Sequence, residues 1–169
     1  MPGKPLPDAE ALLAALTEKM RPVVGSDSGL IGIHTGGVWL AERLHSALGL
    51  KVPCGTLDVS FYRDDYEKIG LHRNVKASAV PFEVDGRHLV LVDDVLYTGR
   101  TIRAAMNEIF DYGRPASIRL AALVDRGGRE LPIAAQFVGA TLELAAGESI
   151  ELTRDANGLL KLVLHRGHP

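Results

Sequence analysis

The sequence predicts an α/β fold in which a mainly parallel central sheet is flanked by helices. Apolar runs of strand length, Gly29 to His34, His88 to Asp93 and Ser117 to Val124, alternate with stretches whose apolar residues recur at helical spacing. That alternation is the pattern of strand-helix-strand units, whose strands run parallel. The strand-length runs also close in Thr35-Gly36-Gly37, Asp93-Asp94 and Asp125-Arg126. Open parallel sheets bind their ligands at such carboxyl ends. With 169 residues and 46% hydrophobic content, the chain can bury one core and is too short for two ordinary ones, so a single domain over 1–169 is expected.

In chain order, Asp8 is placed to cap a helix in which Leu12, Leu13, Leu16 and Met20 share one face, and Arg21-Pro22 ends it. Gly29 to His34 is a short strand closed by Thr35-Gly36-Gly37. Leu40, Ala41, Leu44 and Leu48 then mark a second amphipathic helix, stopped near Gly49. Trp39 reads as a packing residue on that helix and His34 as a polar strand end. Leu57 to Tyr62 predicts another strand. Arg63 to Lys76, charged, aperiodic and containing Gly70, reads as a mobile loop of a length that is often functional.

Val80 to Val84 predicts a short strand, with Asp85-Gly86 turning into the central strand from His88 to Asp93. In the third helix Ile102, Ala105, Met106, Ile109 and Phe110 repeat at i, i+3, i+4, i+7 and i+8, and Gly113 with Pro115 stops it. Ser117 to Val124 is a further apolar strand. From Gln136 onward, segments around Phe137, Leu142 to Ala145, Ile150 to Arg154 and Leu159 to Leu164 predict short antiparallel strands, with Asn157-Gly158 as a hairpin turn.

The composition narrows the class of function. Net charge is −2, from 19 Lys+Arg against 21 Asp+Glu, which lacks the basic balance of a dedicated nucleic-acid binder and leaves a local basic face as the only route to RNA. The single cysteine, Cys54, excludes an intramolecular disulfide and a Cys-based zinc site, and it suits a reducing compartment. No motif pairs it with a histidine base, so it reads as a structural thiol. The apolar runs are too short to span a membrane, and Met1 to Pro7 lacks the regions of a signal peptide, so a cytoplasmic protein is expected.

The chemistry is most legible in Leu89 to Thr101, a strand that ends in two adjacent carboxylates and runs through Thr98-Gly99-Arg100-Thr101 into a helix. Carboxylates can take ribose hydroxyls or Mg²⁺, and the turn offers backbone N–H groups to a phosphate. This combination reads as a phosphoribosyl site.

That segment resembles the phosphoribosyl-pyrophosphate motif of type I phosphoribosyltransferases. Three further stretches are similar to one branch of them, the bifunctional pyrimidine-operon attenuators and uracil phosphoribosyltransferases: Leu57-Asp58-Val59-Ser60-Phe61-Tyr62-Arg63-Asp64-Asp65, Gly113-Arg114-Pro115, and Leu123 to Pro132. The resemblance runs to about residue 140. It implies a type I phosphoribosyltransferase fold with a small hood-like C-terminal antiparallel part, assembly as a homodimer or higher homo-oligomer, and formation of UMP and pyrophosphate from uracil and phosphoribosyl pyrophosphate.

By resemblance, Asp93 and Asp94 hold the ribose hydroxyls and Mg²⁺, while Thr98, Gly99, Arg100 and Thr101 wrap the 5′-phosphate. Thr35, Gly36 and Gly37 match the pyrophosphate loop, although many relatives carry Arg at Gly36. Arg63 would then supply a catalytic cation from a lid over pyrophosphate. Asp125, Arg126, Phe137 and Val138 match positions bordering the base, with Phe137 stacking and the Val138 backbone reading an edge; equally, Arg126 and Phe137 read as a surface cation and a core aromatic.

A second reading is a UMP- or UTP-sensing regulator that binds the leader RNA of a pyrimidine operon. For it, Thr17 and Arg129 match RNA-contact positions, whereas Arg21 and Gly128 stand where relatives often carry histidine. Ala140-Thr141-Leu142-Glu143-Leu144 also replaces a Lys-containing stretch. A purine or orotate phosphoribosyltransferase is the third reading; it shares the phosphate site and differs in the base pocket.

Overall fold

The computed structural model describes residues 5–59 and 78–167. Ser60 to Tyr62, the predicted end of a strand, and the predicted loop from Arg63 to Lys76 lie outside the described residues.

Helix α1, Ala9–Met20, begins where Asp8 accepts a hydrogen bond from the Ala11 N–H at 3.3 Å, and it buries Leu13, Leu16 and Met20. Strand β1, Gly29–Ile33, is buried along its whole length. Helix α2, Gly36–Leu48, buries Leu40, Ala41 and Leu44 and ends at Gly49 in the left-handed region (φ 64°), which a side chain would disfavour. Strand β2 is Gly55–Leu57, strand β3 His88–Leu96, helix α3 Arg100–Tyr112 and strand β4 Ser117–Asp125. Strand β5, Phe137–Thr141, is followed by β6, Ser149–Arg154, and β7, Leu160–His165.

The five-stranded sheet has the order β2-β1-β3-β4-β5, and every neighbouring pair is parallel. Because alternate side chains of a strand point to opposite faces, the sheet divides the core in two. Val90, Val92, Ala121 and Leu123 pack with α1 and α2 on one face. Leu89, Leu91, Leu120 and Ala122 pack with Ile102, Ala105 and Ile109 of α3 on the other. Among the described residues no helix is long and apolar enough to cross a membrane.

Strands β6 and β7 form a separate antiparallel hairpin whose Leu152 and Leu160 join the α1–α2 core. Its rim is held by two polar contacts. Glu10 of α1 accepts from the Leu160 N–H (2.9 Å) and pairs with Arg43 of α2, so one carboxylate joins three elements. The Arg154 guanidinium lies 4.7 Å from the centroid of the Trp39 ring in the first turns of α2.

Several predicted features change. The strand expected over 57–62 begins at Gly55 instead, because Gly55–Leu57 pairs with Ile31–Ile33. Val80 to Val84 is not a strand; the pairing there is a single antiparallel bridge between Ala79 and Thr56. Val84 is nonetheless buried, and the Phe82 ring packs on Gly29. β3 runs on to Leu96, carrying both aspartates within the strand. Phe110, expected on the buried stripe of its helix, is 58% exposed, since Ile102, Ala105 and Ile109 already fill the face that meets the sheet.

The C-terminal expectation is corrected most. β5 is parallel to β4, with Ala121 opposite Phe137 and Asp125 opposite Thr141, and Leu142 to Ala145 is irregular. The β6–β7 hairpin is present, but its turn spans Asp155 to Leu159. The Asp155 carboxylate organises it by accepting from the N–H groups of Asn157 (2.8 Å) and Leu159 (3.0 Å).

The Arg43 guanidinium holds the Glu10 carboxyl below its ordinary value, against burial, which pushes it up. A depressed folded-state pKa contributes stability above the ordinary value of 4.5 and loses it as pH falls through the folded value. Glu10→Ala should therefore lower the urea-unfolding free energy at pH 7 by about 1–2 kcal/mol, since it strands the Leu160 N–H. The difference between variant and wild type should shrink below pH 4.5.

Candidate active site

The carboxyl ends of β1, β3 and β4 converge, and glycines set how closely. Built onto Gly32 of β1, a Cβ would lie 2.6 Å from the Gly37 carbonyl oxygen; built onto Gly37, it would lie 2.3 Å from that of Val92. The first turn of α2 thus rests directly on the backbone of both strands. The same contact brings Gly36 against β3, where an added Cβ would lie 2.4 Å from Asp94 Oδ2. Thr35 precedes this turn, and the His34–Thr35 peptide is cis.

Asp93 and Asp94 occupy consecutive positions of β3 and therefore opposite faces. Asp93 is buried and accepts from the Asp94 N–H through Oδ1 at 2.9 Å. Asp94 is half-buried, accepts from the Val95 N–H at 2.8 Å, and turns its other oxygen toward Gly36.

Beyond Leu96 the chain enters the turn that starts α3. The buried Thr98 hydroxyl accepts from the Arg100 N–H at 3.2 Å, and Gly99 takes φ 94°, so α3 starts at the strand end with its positive dipole end there. Thr101 lies in that first turn. Arg100 pairs with Glu130 at 2.8 Å.

The segment after β4 is fastened onto this turn. Leu96 O accepts from the Arg126 N–H (3.0 Å), and Thr98 O accepts from the N–H groups of Glu130 (2.9 Å) and Leu131 (3.1 Å). Arg129 donates to the carbonyls of Tyr97 and Ile133, both at 2.8 Å, and to Asp125 Oδ2 at 2.6 Å. Burial pushes the Asp125 carboxyl up, but Arg129 and the Gly127 N–H outweigh it and hold the group below its ordinary range. Asp125 is thus a fixed, ionised acceptor at neutral pH.

The structure brings Thr35, Gly36, Gly37, Asp93, Asp94, Thr98 to Thr101, Asp125 and Arg126 to one end of the sheet. Arg63 lies outside the described residues. The Phe137 ring is buried in the core on the α1–α2 face, level with Val92 and Ala121, and so is not presented for stacking; the Val138 carbonyl accepts from Lys19 Nζ at 2.6 Å. Of the residues weighed for RNA contact, Thr17 donates its hydroxyl to the Leu13 carbonyl (2.7 Å), Arg21 pairs with Glu18 and reaches the Ala47 carbonyl, and Arg129 is turned inward as described. Cys54 donates to the Ala41 carbonyl, and burial pushes its thiol up to about 11. A groove of about 890 Å³ lies at the amino ends of the strands, lined by Asp27, Arg87, His88 and Arg119, and takes in none of these residues.

Sequence reasoning left Tyr97 without a role and missed Glu130. No periodicity signals either, because both contacts arise where two loops distant in sequence meet.

A sheet of this order, with a carboxylate pair beside two backbone turns at its carboxyl end, defines a phosphoribosyltransferase, and the chain belongs to that class: residues 7–151 match the phosphoribosyl transferase domain family. A purine phosphoribosyltransferase from Pyrococcus horikoshii superposes with a TM-score of 0.61 at 26% identity, covering 79% of this chain and 82% of that one. A hypoxanthine phosphoribosyltransferase from Trypanosoma cruzi superposes at 0.65 with 23% identity, over 84% and 79% of the two chains, and shares the fold.

In sequence the chain is a PyrR-family member. It is 56% identical to the bifunctional protein PyrR of Nitrosococcus oceani over 144 residues, 84% of this chain and 81% of the relative. It is 54% identical to that of Pseudomonas paraeruginosa over 156 residues, 89% and 91% of the two.

Arg129→Leu would leave the Tyr97 and Ile133 carbonyls without their donor and Asp125 without its cation. Loss of about 2–3 kcal/mol is expected in urea unfolding at neutral pH. The Asp125 carboxyl should titrate at higher pH than in wild type, as followed by carboxyl-carbon NMR.

Proposed function

We propose that this protein makes UMP and pyrophosphate from uracil and phosphoribosyl pyrophosphate, with control of pyrimidine genes as a second role. The observation that carries the reading is the approach of Asp94 to Gly36, which puts a ribose-type acceptor and a helix N-terminus side by side, one turn of chain from the α3 N-terminus. Ribose hydroxyls, pyrophosphate and 5′-phosphate then have adjacent partners on one strand end.

The reaction breaks the C1–O bond to pyrophosphate, forms a bond from C1 to N1 of uracil, and releases the N1 proton. The ribose carries oxocarbenium character at the transition state, so catalysis rests on orientation and on stabilising the leaving group. Asp93 and Asp94 orient the ribose, the N–H groups of the Thr35-Gly36-Gly37 turn face pyrophosphate, and Thr98 to Thr101 seat the 5′-phosphate. Arg63 adds a cation to pyrophosphate in this reading. Uracil presents an N–H between two carbonyls, and Asp125 with Arg126 offers the complementary acceptor and donor.

Two adjacent carboxylates suit Mg²⁺, a hard cation that takes oxygen ligands and keeps several waters. Among the described residues no group of three or more His, Cys, Asp or Glu side chains could hold a metal, so Asp93 and Asp94 would share the ion with the donor's own oxygens. When bound, it neutralises charge on the pyrophosphate group.

The regulatory reading is favoured by the relatives' name, bifunctional. Thr17 and Arg129 are occupied internally, and Arg21, which departs from the usual histidine, faces solvent paired with Glu18.

Purified protein given labelled uracil, orotate or hypoxanthine with phosphoribosyl pyrophosphate and Mg²⁺ should turn over uracil; binding of the donor without uracil turnover would overturn the catalytic reading. Asp94→Asn should lower kcat by about 10²-fold or more, and a wild-type rate would remove Asp94 from the mechanism. For regulation, gel shifts with upstream leader RNA should show UMP-dependent binding that weakens with salt.

A further inference from the structure

Arg126 is half-buried, and its Nε is the one enclosed side-chain nitrogen or oxygen among the described residues that meets no partner. A buried donor left unmade is costly, and in a folded site it signals a missing acceptor. The guanidinium is nevertheless held in place. Its Cζ lies over the Tyr97 ring, 3.9 Å from the centroid. The ring contact restrains the guanidinium by a cation–π attraction while its Nε hydrogen bond stays unmade.

Tyr97 is 45% exposed and bounded on two further sides. Its carbonyl accepts from Arg129, and its ring edge lies where a Gly128 side chain would be, 2.5 Å from an added Cβ. Gly128 also sits at φ 80°, where other residues are strained. The ring belongs to the donor-binding turn, whereas Arg126, Gly128 and Arg129 belong to the segment after β4.

We propose that Tyr97 is a positioning residue for the acceptor base: its ring sets the Arg126 guanidinium so that the N–H edge meets a carbonyl oxygen of the pyrimidine. The proposal deepens the uracil reading and rests on it. Tyr97 makes no contact with the reacting atoms in this scheme, and it acts through Arg126.

The test is steady-state kinetics and calorimetry on the full chain, with both substrates varied. Tyr97→Ala should raise KM for uracil about tenfold while KM for phosphoribosyl pyrophosphate stays within about twofold. Tyr97→Phe keeps the ring and should restore the uracil value. Tyr97→Ala added to Arg126→Ala should cost nothing more, because both remove one interaction.

Gly128→Ala displaces the ring without deleting it and should repeat the split, which keeps the test alive if Tyr97→Ala misfolds. An unchanged uracil KM, an equal rise for both substrates, or additivity in the double variant would overturn the proposal. If the wild type takes orotate or hypoxanthine and not uracil, the uracil reading fails, and the same comparison on the accepted base decides Tyr97 by itself. Calorimetric binding of base and donor gives the split without turnover.

Discussion

Everything at the carboxyl end of the sheet depends on how closely the first turn of α2 approaches β1 and β3. Helices packed through side chains stand about 10 Å from a sheet, whereas here the missing Cβ atoms of Gly32 and Gly37 let backbone rest on backbone. The consequence is electrostatic as well as steric. The partial positive end of α2 is delivered to within contact of the Asp94 carboxylate, so an anionic ligand there meets N–H groups and a ribose-type acceptor together. An Arg at Gly36 would start from a Cβ lying on Asp94 Oδ2. In this chain such a side chain demands a different carboxylate rotamer.

The other half of the site is built by fastening loop to loop. By resemblance Arg129 matches an RNA-contact position; its three inward bonds make it the pin that joins the ends of β3 and β4. Because one guanidinium touches a carboxylate and two carbonyls from different segments, the geometry of Asp125 and that of the turn after β3 are not independent. Glu130 and Leu131 bind the same turn through Thr98 O, so the pin has backbone support. The acceptor side and the donor side of the site therefore share one rigid frame.

Much of this was legible in the residues. Helical periodicity marked α1, α2 and α3, and the glycine turn and Asp125-Arg126 step fell at strand ends as expected from a parallel sheet, whereas the carboxylate pair lies inside β3, which runs on to Leu96. The direction of β5 was not legible, since a five-residue apolar run carries no mark of whether its neighbour runs parallel or antiparallel. Phe137 failed as a base-stacking residue for a related reason: a strand's alternation tells that a side chain faces one side, not which layer covers that side. Phe110 shows the reverse error, where a periodic stripe was wider than the face its sheet could cover. Arg129 and Tyr97 lay beyond reach because their partners are tertiary.

Trp39 is the sole tryptophan of the chain. It lies three residues beyond Gly36 on the same helix, and the Arg154 guanidinium of the separate hairpin rests on its ring. A side chain on a helix leans toward the preceding turn, so the indole reports on the glycine turn and on the hairpin at once. All indole emission from this protein consequently originates at the junction between its two sheets, giving an intrinsic optical gauge of whether the hairpin stays seated on the helix.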